Sequence, residues 1–194
     1  VPRDWSSDVC SSDLIVFYTL MELAKKAKAD VKIHTPYIIC DDYMYDLLAT
    51  IGQKTEIMSN SAENNGNLFG AIDYMNNKQK IIDTGVTIKE YEGGISYHGK
   101  SMTIDDDMAI VGSFNMDMRS AYIDTELMLA IHSDKVTKQL KENMEKYEKE
   151  AGIVKNETEY SFVPDGMEMK KISGKKKNLH LWFGWFFDMF RFLF

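Results

Sequence analysis

The sequence predicts an α/β/α sandwich, in which a mixed sheet is covered by helices on both faces, followed by a C-terminal amphipathic helix. Segments with a helical hydrophobic period alternate along the chain with segments in which apolar and polar residues alternate. Several connections between predicted strands are short, which favours some antiparallel neighbours in the sheet. The chain has 194 residues, of which 44% are hydrophobic, so it can bury one globular core.

The predicted elements begin at residue 14. Helices are predicted at 14–28, 42–51, 68–82 and 134–150, and strands at 31–37, 56–58, 86–91, 101–104, 108–111 and 126–131. The intervening stretch 59–70 contains four Asn and two Gly without an apolar period, so it is predicted to be a loop that follows a strand. Ligands bind at such positions in open α/β sheets, but a plain solvated connection has the same composition, and both interpretations stay open.

The two ends of the chain differ from this central region. Residues 1–13 are rich in Ser and Asp and lack the plan of a signal peptide, so we expect a non-native or disordered leader on a chain cut at its N-terminus. The sandwich is assigned to residues 14–150. Residues 151–178 are expected to form a polar and then basic linker before the C-terminal helix at 179–194.

Charge and cysteine content restrict the environment and the partners. The chain has 30 acidic and 23 basic residues, a formal charge of −7, which disfavours nucleic acid as a partner. Its two cysteines, Cys10 and Cys40, have no framework spacing, which favours reduced thiols in a cytosolic setting.

The stretch from 97 to 126 carries the chemistry. His98 and Lys100 are two residues apart, so in an extended strand they point to the same face, and an imidazole beside an ammonium group suits attack on a phosphate. This pair alone is a weak signal, since most such pairs are surface residues. Asp105 follows after four intervening residues, and Gly-Ser-Phe-Asn follows at 112–115 after six more.

This spacing resembles the signature of the phospholipase D superfamily, His-x-Lys-x4-Asp-x6-Gly-Ser-x-Asn. All six fixed positions are met, by His98, Lys100, Asp105, Gly112, Ser113 and Asn115. The resemblance covers about residues 14–150 and is to the C-terminal half of bacterial cardiolipin synthase-like proteins. The chain departs from the family pattern at Gly99, where Ala is frequent, and at Asp124, where Asn is frequent.

The resemblance implies roles for these residues. Two such motifs meet in one site, where one His attacks phosphorus to give a phosphohistidine and the other exchanges protons with the alcohols. In a C-terminal half, His98 has the acid/base role. Lys100, Ser113 and Asn115 then bind the phosphate oxygens. Glu126 orients the imidazole, Asp105 fixes geometry around the site, and neither a metal nor another cofactor is required.

Two alternatives concern the acidic and basic residues near the motif. Asp105, Asp106 and Asp107 form an acidic run that attracts divalent cations, but three consecutive residues cannot all face one ion, and an acidic turn explains them better. Arg119 is a candidate phosphate ligand, although an ion pair with Asp117 is the favoured interpretation.

The last sixteen residues contain eight aromatic side chains, but the segment is shorter than the roughly 20 residues that span a bilayer. A helical wheel places His180, Gly184, Asp188 and Arg191 on one narrow polar stripe. Together with the preceding lysines, this pattern predicts a helix that lies in an anionic membrane interface. The alternative is a helix that docks on the core or on a partner.

We therefore expect one half of a phosphatidyl-transferring enzyme, peripheral to the cytoplasmic side of the cell membrane. Its expected partners are a phospholipid substrate, the membrane surface and a second motif-bearing half, either a missing domain or a second copy of the chain. The alternatives are a dimeric nuclease of the same superfamily and a non-catalytic membrane-associated protein.

Overall fold

The computed structural model describes residues 14–174 together with 178 and 191, and its central feature is an eight-stranded mixed sheet. The predicted leader at 1–13 lies outside the described residues, as does the predicted helix at 179–194 except for Arg191. Within the described part of the chain, no helix combines the length and the apolar character needed to cross a bilayer.

The predicted helices and strands are present in the predicted order, together with short elements that the sequence did not predict. The strands are β1 (Val31–His34), β2 (Ile38–Ile39), β3 (Thr55–Asn60), β4 (Thr87–Tyr91), β5 (Ser101–Ile104), β6 (Met108–Gly112), β7 (Met116–Asp117), β8 (Met128–His132), β9 (Ala151–Val154) and β10 (Tyr160–Phe162). The helices are α1 (Ile15–Lys25), α2 (Asp42–Ala49), α3 (Leu68–Asp83), α4 (Met118–Tyr122) and α5 (Asp134–Glu148). Their order confirms the predicted α/β class.

The sheet has the strand order β10-β9-β4-β3-β1-β5-β6-β8. Strands β1, β3 and β4 are parallel to one another, and the other neighbours pair antiparallel. Strands β2 and β7 form a separate parallel pair. The parallel strands are joined through helices, whereas β5 and β6 are joined by a tight turn, as expected from the lengths of the connections.

The two faces of the sheet differ in polarity. Ile33, Ile57 and Ile88 are register neighbours on β1, β3 and β4, and they belong to the main apolar core together with residues of α1, α2 and α3. The opposite face carries Lys32 and Lys89, and α5 covers it. Because successive side chains of a strand point to opposite faces, the alternation in the sequence produces this division.

Four helices, α2 to α5, begin after residues whose side chains accept backbone N–H groups. Asp41 accepts from Met44 N at 2.8 Å before α2, and Asn67 accepts from Phe69 N at 3.0 Å before α3. Ser133 does the same before α5. These side chains satisfy donors that have no partner within the helix, which explains why the helices begin there.

The structure departs from the predicted elements after residue 150 and around Pro36. The region 151–178, expected to be a linker, begins with β9, which pairs with β4 and extends the sheet, and continues into β10. The strand predicted at 31–37 ends at His34, and β2 follows as a separate strand beyond Pro36, whose ring fixes φ and removes a backbone donor.

One end of the sheet collects the ends of several strands. His34 at the end of β1 pairs with Ser101 at the start of β5, and Ser101 pairs with Val111 near the end of β6. Gly112, the last residue of β6, pairs with Met128, the first residue of β8. The segments that precede β5 and β8 and follow β6 therefore meet at this end.

Candidate active site

The strand directions bring three residues of the motif, together with Glu126, to one end of the sheet. His98 and Lys100 directly precede β5, and Ser113 directly follows β6. Glu126 lies two residues before β8, which pairs antiparallel with β6. Residues that are up to 28 positions apart in the sequence are thus neighbours because the strands between them are antiparallel.

His98 and Lys100 are in direct contact. The Nζ atom of Lys100 donates to Nδ1 of the imidazole at 2.8 Å and to the His98 carbonyl oxygen at 2.9 Å. Partial desolvation and then the charge of Lys100 lower the pKa of His98 below its ordinary value. Desolvation also lowers the pKa of Lys100. The imidazole is therefore neutral at neutral pH, with an ammonium group beside it.

Ser113 and Glu126 form a second contact beside this pair. The Ser113 hydroxyl donates to the Glu126 carboxylate and accepts from Leu127 N at 3.0 Å. The resemblance implied that Glu126 orients the imidazole of His98, but here Glu126 holds Ser113, and Lys100 occupies the Nδ1 side of the His98 ring. Glu126 still acts on the pair electrostatically, since its charge opposes the lowering of the Lys100 pKa.

Asn115 lies next to Ser113, where the chain turns inward. Its backbone N–H and its Nδ2 atom both donate to the Ser120 hydroxyl at 3.4 Å. Its Oδ1 atom is buried without a hydrogen-bond partner in the described structure. Buried polar atoms are rarely left unpaired, so this oxygen is a candidate acceptor for a group that enters the site.

Asp105 is not brought to this cluster. It follows β5, whereas His98 and Lys100 precede it, and a strand of four residues at about 3.3 Å each separates the two ends. The Asp105 carboxylate accepts the backbone N–H groups of Lys28, Ala29 and Asp30 at 2.7 to 3.2 Å. Asp105 therefore holds the connection between α1 and β1, and its expected role around the site is corrected to a structural role at the other end of the sheet.

The other acidic residues and Arg119 also have defined partners. Asp106 pairs with Lys141, and Asp107 pairs with His132, so the acidic run spreads over three separate contacts. Among the described residues, no group of three or more His, Cys, Asp or Glu side chains is arranged to hold a metal ion. The sequence favoured an ion pair between Arg119 and Asp117, but Arg119 pairs with Asp124 at 3.0 Å. Asp117 instead accepts from Ser120 N at the start of α4.

Two buried residues outside the motif contact the segment that carries His98. Asn60, the last residue of β3, is hydrogen-bonded to the backbone of Tyr97, and His34, the last residue of β1, contacts the Tyr97 hydroxyl. The sequence predicts Asn60 in the Asn-rich loop 59–70, and these contacts with Tyr97 were not predicted. A polar residue at the end of a buried parallel strand was the available indication.

The site is open to solvent on one side and is bordered by apolar residues. His98 and Ser113 are exposed. Leu127 and Leu129, which follow Glu126, are 76% and 58% exposed, and Val111, the register partner of Leu129, is also exposed. These three side chains are called the apolar rim below. The rim lies beside β8, the strand at the edge of the sheet, so further protein can pack against this side.

Comparison of the sequence with known families gives one match over most of the sandwich. Residues 20–147 match the family described as "Cardiolipin synthase, PLD-like domain". Cardiolipin synthase of Staphylococcus aureus strain Mu50 is 30% identical over 128 residues, which is 64% of this chain and 25% of that protein. Cardiolipin synthase 1 of Staphylococcus epidermidis is 29% identical over 132 residues, which is 66% and 26% of the two chains. The chain thus spans about a quarter of the length of these curated relatives.

Solved structures share the fold. Phosphatidylserine synthase of Haemophilus influenzae Rd KW20 aligns with a TM-score of 0.67 at 16% identity, covering 92% of this chain and 45% of that one. Nuc of Salmonella typhimurium, described as a phospholipase D family member, aligns with a TM-score of 0.56 at 15% identity, covering 71% and 89%. At these identities the similarity establishes the fold and leaves the substrate open.

Proposed function

Because the chain belongs to the phospholipase D-like domain family of cardiolipin synthase, we propose that it supplies one of two histidine motifs in an enzyme that transfers a phosphatidyl group between lipid alcohols. The observation that carries this proposal is the contact between Lys100 Nζ and the exposed imidazole of His98. Phosphodiester transfer needs a nucleophile or base that is uncharged before it reacts, and a neutral imidazole meets that need.

The reaction proceeds in two steps with two histidines. The histidine of the other motif attacks phosphorus, and the bond from phosphorus to the first lipid alcohol breaks while His98, which has first taken up a proton from solvent, gives that oxygen the proton and becomes neutral. His98 then takes the proton of the second alcohol, whose oxygen attacks phosphorus and releases the first histidine. Each histidine ends in its starting state, so no cofactor is consumed.

The neighbours of His98 stabilise the charge that develops on the phosphate. Lys100 brings a positive charge, and the exposed hydroxyl of Ser113, which donates to Glu126 in the described structure, turns to donate to a phosphate oxygen when substrate binds. The amide Nδ2 of Asn115, which donates one hydrogen to the Ser120 hydroxyl and has a second hydrogen, completes the set of donors. Fixed donors of this kind act when the transition state is more charged than the substrate.

We propose that a second motif-bearing half covers the open side of this site. The sequence contains one such motif, whereas the reaction uses two histidines. The apolar rim beside β8 provides a surface that a second half can cover, since exposed apolar side chains at an unpaired sheet edge can pack against further protein. The second half is either another domain of a longer protein or a second copy of this chain.

The substrate proposed is a phospholipid at the cytoplasmic surface of the membrane. The curated relatives named above are cardiolipin synthases, and the charge of −7 is unfavourable for binding nucleic-acid phosphates. The fold shared with Nuc does not favour a nuclease, because that similarity rests on 15% identity. The aromatic segment at 179–194 is the proposed membrane contact.

Replacing the two motif residues tests the proposal. In an enzyme that holds both motif-bearing halves, His98→Asn and Lys100→Ala are expected to lower the turnover of phosphatidylglycerol by several orders of magnitude. The melting temperature should stay nearly unchanged, since both side chains lie at the open end of the sheet. A chelator should have no effect on turnover.

His132→Asn is the matched control, because His132 is an exposed histidine at the other end of β8 that pairs with Asp107. This variant is expected to keep its turnover. Turnover of His98→Asn or Lys100→Ala within tenfold of the wild type would mean that the motif is structural in this chain.

A further inference from the structure

The segment that carries His98 has no regular secondary structure of its own. Between the end of β4 at Tyr91 and the start of β5 at Ser101, the chain forms neither strand nor helix. An imidazole on such a segment keeps a fixed direction only if other groups hold the backbone, because a free loop samples many conformations. The contacts of Tyr97, the residue before His98, supply such groups.

One buried amide holds both backbone polar groups of Tyr97. The Asn60 side chain accepts from Tyr97 N at 2.8 Å through Oδ1 and donates to the Tyr97 carbonyl oxygen at 2.9 Å through Nδ2. The same Nδ2 atom donates to the Pro36 carbonyl oxygen at 2.8 Å. Asn60 is 1% exposed and ends a central strand, so it is a rigid base for this contact.

The ring of Tyr97 is held separately from its backbone. Its hydroxyl lies 3.3 Å from Nδ1 of His34, and Nε2 of His34 lies 3.2 Å from a carboxylate oxygen of Glu148. Burial lowers the pKa of His34, so the ring is neutral, accepts the Tyr97 hydroxyl at Nδ1 and donates from Nε2 to Glu148. Tyr147 packs edge-on against Tyr97, with ring centroids 4.8 Å apart.

The position of this ring accounts for Gly99. A Cβ atom at residue 99 would overlap the hydroxyl and the Cζ atom of Tyr97. The ring of Tyr97 therefore passes directly over the backbone between His98 and Lys100, which is possible because residue 99 has no side chain. The departure from Ala at this position follows from the way Tyr97 is packed.

We propose that Asn60 and Tyr97 are positioning residues, which hold the backbone before His98 so that its imidazole stays beside Lys100. The proposal rests on the proposed function of His98 and deepens it. Neither residue touches the reacting phosphate. Asn60 fixes the peptide groups on both sides of Tyr97, and the contact of the Tyr97 hydroxyl with His34, which Glu148 holds in turn, fixes the ring against the sheet.

The test uses imidazole NMR signals of the full 194-residue chain, which contains four histidines. Asn60→Ala should broaden or split the His98 signals and move the titration midpoint of His98. It should also weaken the nuclear Overhauser effect between the side chains of His98 and Lys100. Asn77→Ala is the matched control, because Asn77 is a buried asparagine on α3 whose amide donates to Asp73 O. This control should leave the His98 signals unchanged.

A second variant serves if Asn60→Ala does not fold. Tyr97→Phe keeps the ring and the backbone contacts and removes the hydroxyl that meets His34, so it should shift the His34 signals strongly and those of His98 measurably. Unchanged His98 signals in every folded variant of the two positions would overturn the proposal.

Turnover separates this proposal from the proposed function. In an enzyme with both motif-bearing halves, Asn60→Ala should lower kcat at least tenfold and leave KM within twofold, since the substrate contacts remain. If the His98 signals respond but the wild type transfers no phosphatidyl group, the positioning role stands and the proposed function fails. If His98→Asn stops transfer while Asn60→Ala changes neither kcat nor the signals, the positioning role fails alone.

Discussion

Replacing Asp105 with alanine distinguishes a structural from a catalytic role for the aspartate of the motif. Asp105 accepts three backbone N–H groups of the α1 to β1 connection, and its own backbone N–H donates to Asp30 O at 2.8 Å. It also has φ of 48°, in the left-handed region that aspartate tolerates better than alanine. We expect Asp105→Ala to destabilise the fold and to leave the chemistry at His98 intact.

The expected loss can be worked from these contacts. Three hydrogen bonds at about 0.5–1.5 kcal/mol each give roughly 1.5–4.5 kcal/mol, and partial exposure of the carboxylate favours a value near 2 kcal/mol, in the lower part of that range. Placing alanine in the left-handed region adds about 1 kcal/mol. A total near 3 kcal/mol corresponds to a fall in Tm of roughly 6–12 °C for a chain of this size.

The assay is urea unfolding of the full chain at several pH values, with Asp105→Asn as the control that keeps the shape and one acceptor oxygen. The backbone N–H groups, that of Lys28 foremost, lower the pKa of Asp105 below its ordinary value. A carboxylate with a lowered folded-state pKa stabilises the fold above its unfolded pKa, near 4, and this contribution is lost as the pH falls through the folded value. The difference between wild type and Asp105→Ala should therefore shrink in acid.

One result would refute this reasoning. If Asp105→Ala keeps the Tm of the wild type while phosphatidyl transfer falls by several orders of magnitude, Asp105 acts in the reaction and its contacts with the α1 to β1 connection are incidental.

Two further predictions concern the motif pair and the C-terminal segment. The charge of Lys100 contributes to the lowered pKa of His98, so in NMR titrations Lys100→Met should raise the titration midpoint of His98, and an unchanged or lower midpoint would contradict this electrostatic coupling. Deleting residues 179–194 should release the chain from anionic liposomes in a flotation assay, while salt should weaken binding only in part, because aromatic burial outweighs the lysine contribution. If the shortened chain still floats with the liposomes, the segment packs against protein and is not the membrane contact.

The contact of Arg191 makes the deletion informative. Its guanidinium pairs with Asp73 of α3 and donates to the Cys40 carbonyl oxygen at 2.7 Å. Arg191 belongs to the polar stripe predicted for the C-terminal helix. A contact between a residue of this stripe and the core is expected if the helix docks on the core. Membrane contact by the aromatic residues of the segment stays a prediction.

The sequence predicts the long elements of this fold and misses the short ones. The three long helices have enough residues for a hydrophobic period to appear, and the observed bounds of these helices and of β4 to β6 lie within three residues of the predicted bounds. Strands β2 and β7 have two residues each and exist only because they pair with each other. Strand β9 has four residues in a polar region, and its pairing with β4 decides its structure.

The same reasoning explains which site residues could be predicted from the sequence. His98, Lys100, Ser113 and Glu126 lie in one stretch whose spacing is distinctive, and antiparallel strands fold that stretch back on itself. Asp105 belongs to the same stretch but lies in the turn at the far end of β5, because closeness in sequence does not imply closeness across a strand.

The contacts that residues outside that stretch make with the site could not be predicted from the sequence. Asn60 and His34 reach Tyr97 from strands that are 37 and 63 positions away, and no spacing rule connects them. Their contacts follow from the strand order, in which β1 lies between β3 and β5.

The central claim is that His98 is one of two histidines in a phosphatidyl-transfer site. Its most direct test is the rate of phosphatidylglycerol turnover by the full chain in fractions of known oligomeric state. We predict no turnover by the monomer. In any active dimer, we predict a rate that falls with the square of the wild-type share as His98→Asn protein is exchanged in, because a dimer with one intact histidine cannot complete both steps. Turnover by the monomer, or a rate that falls linearly with the wild-type share, would contradict the account.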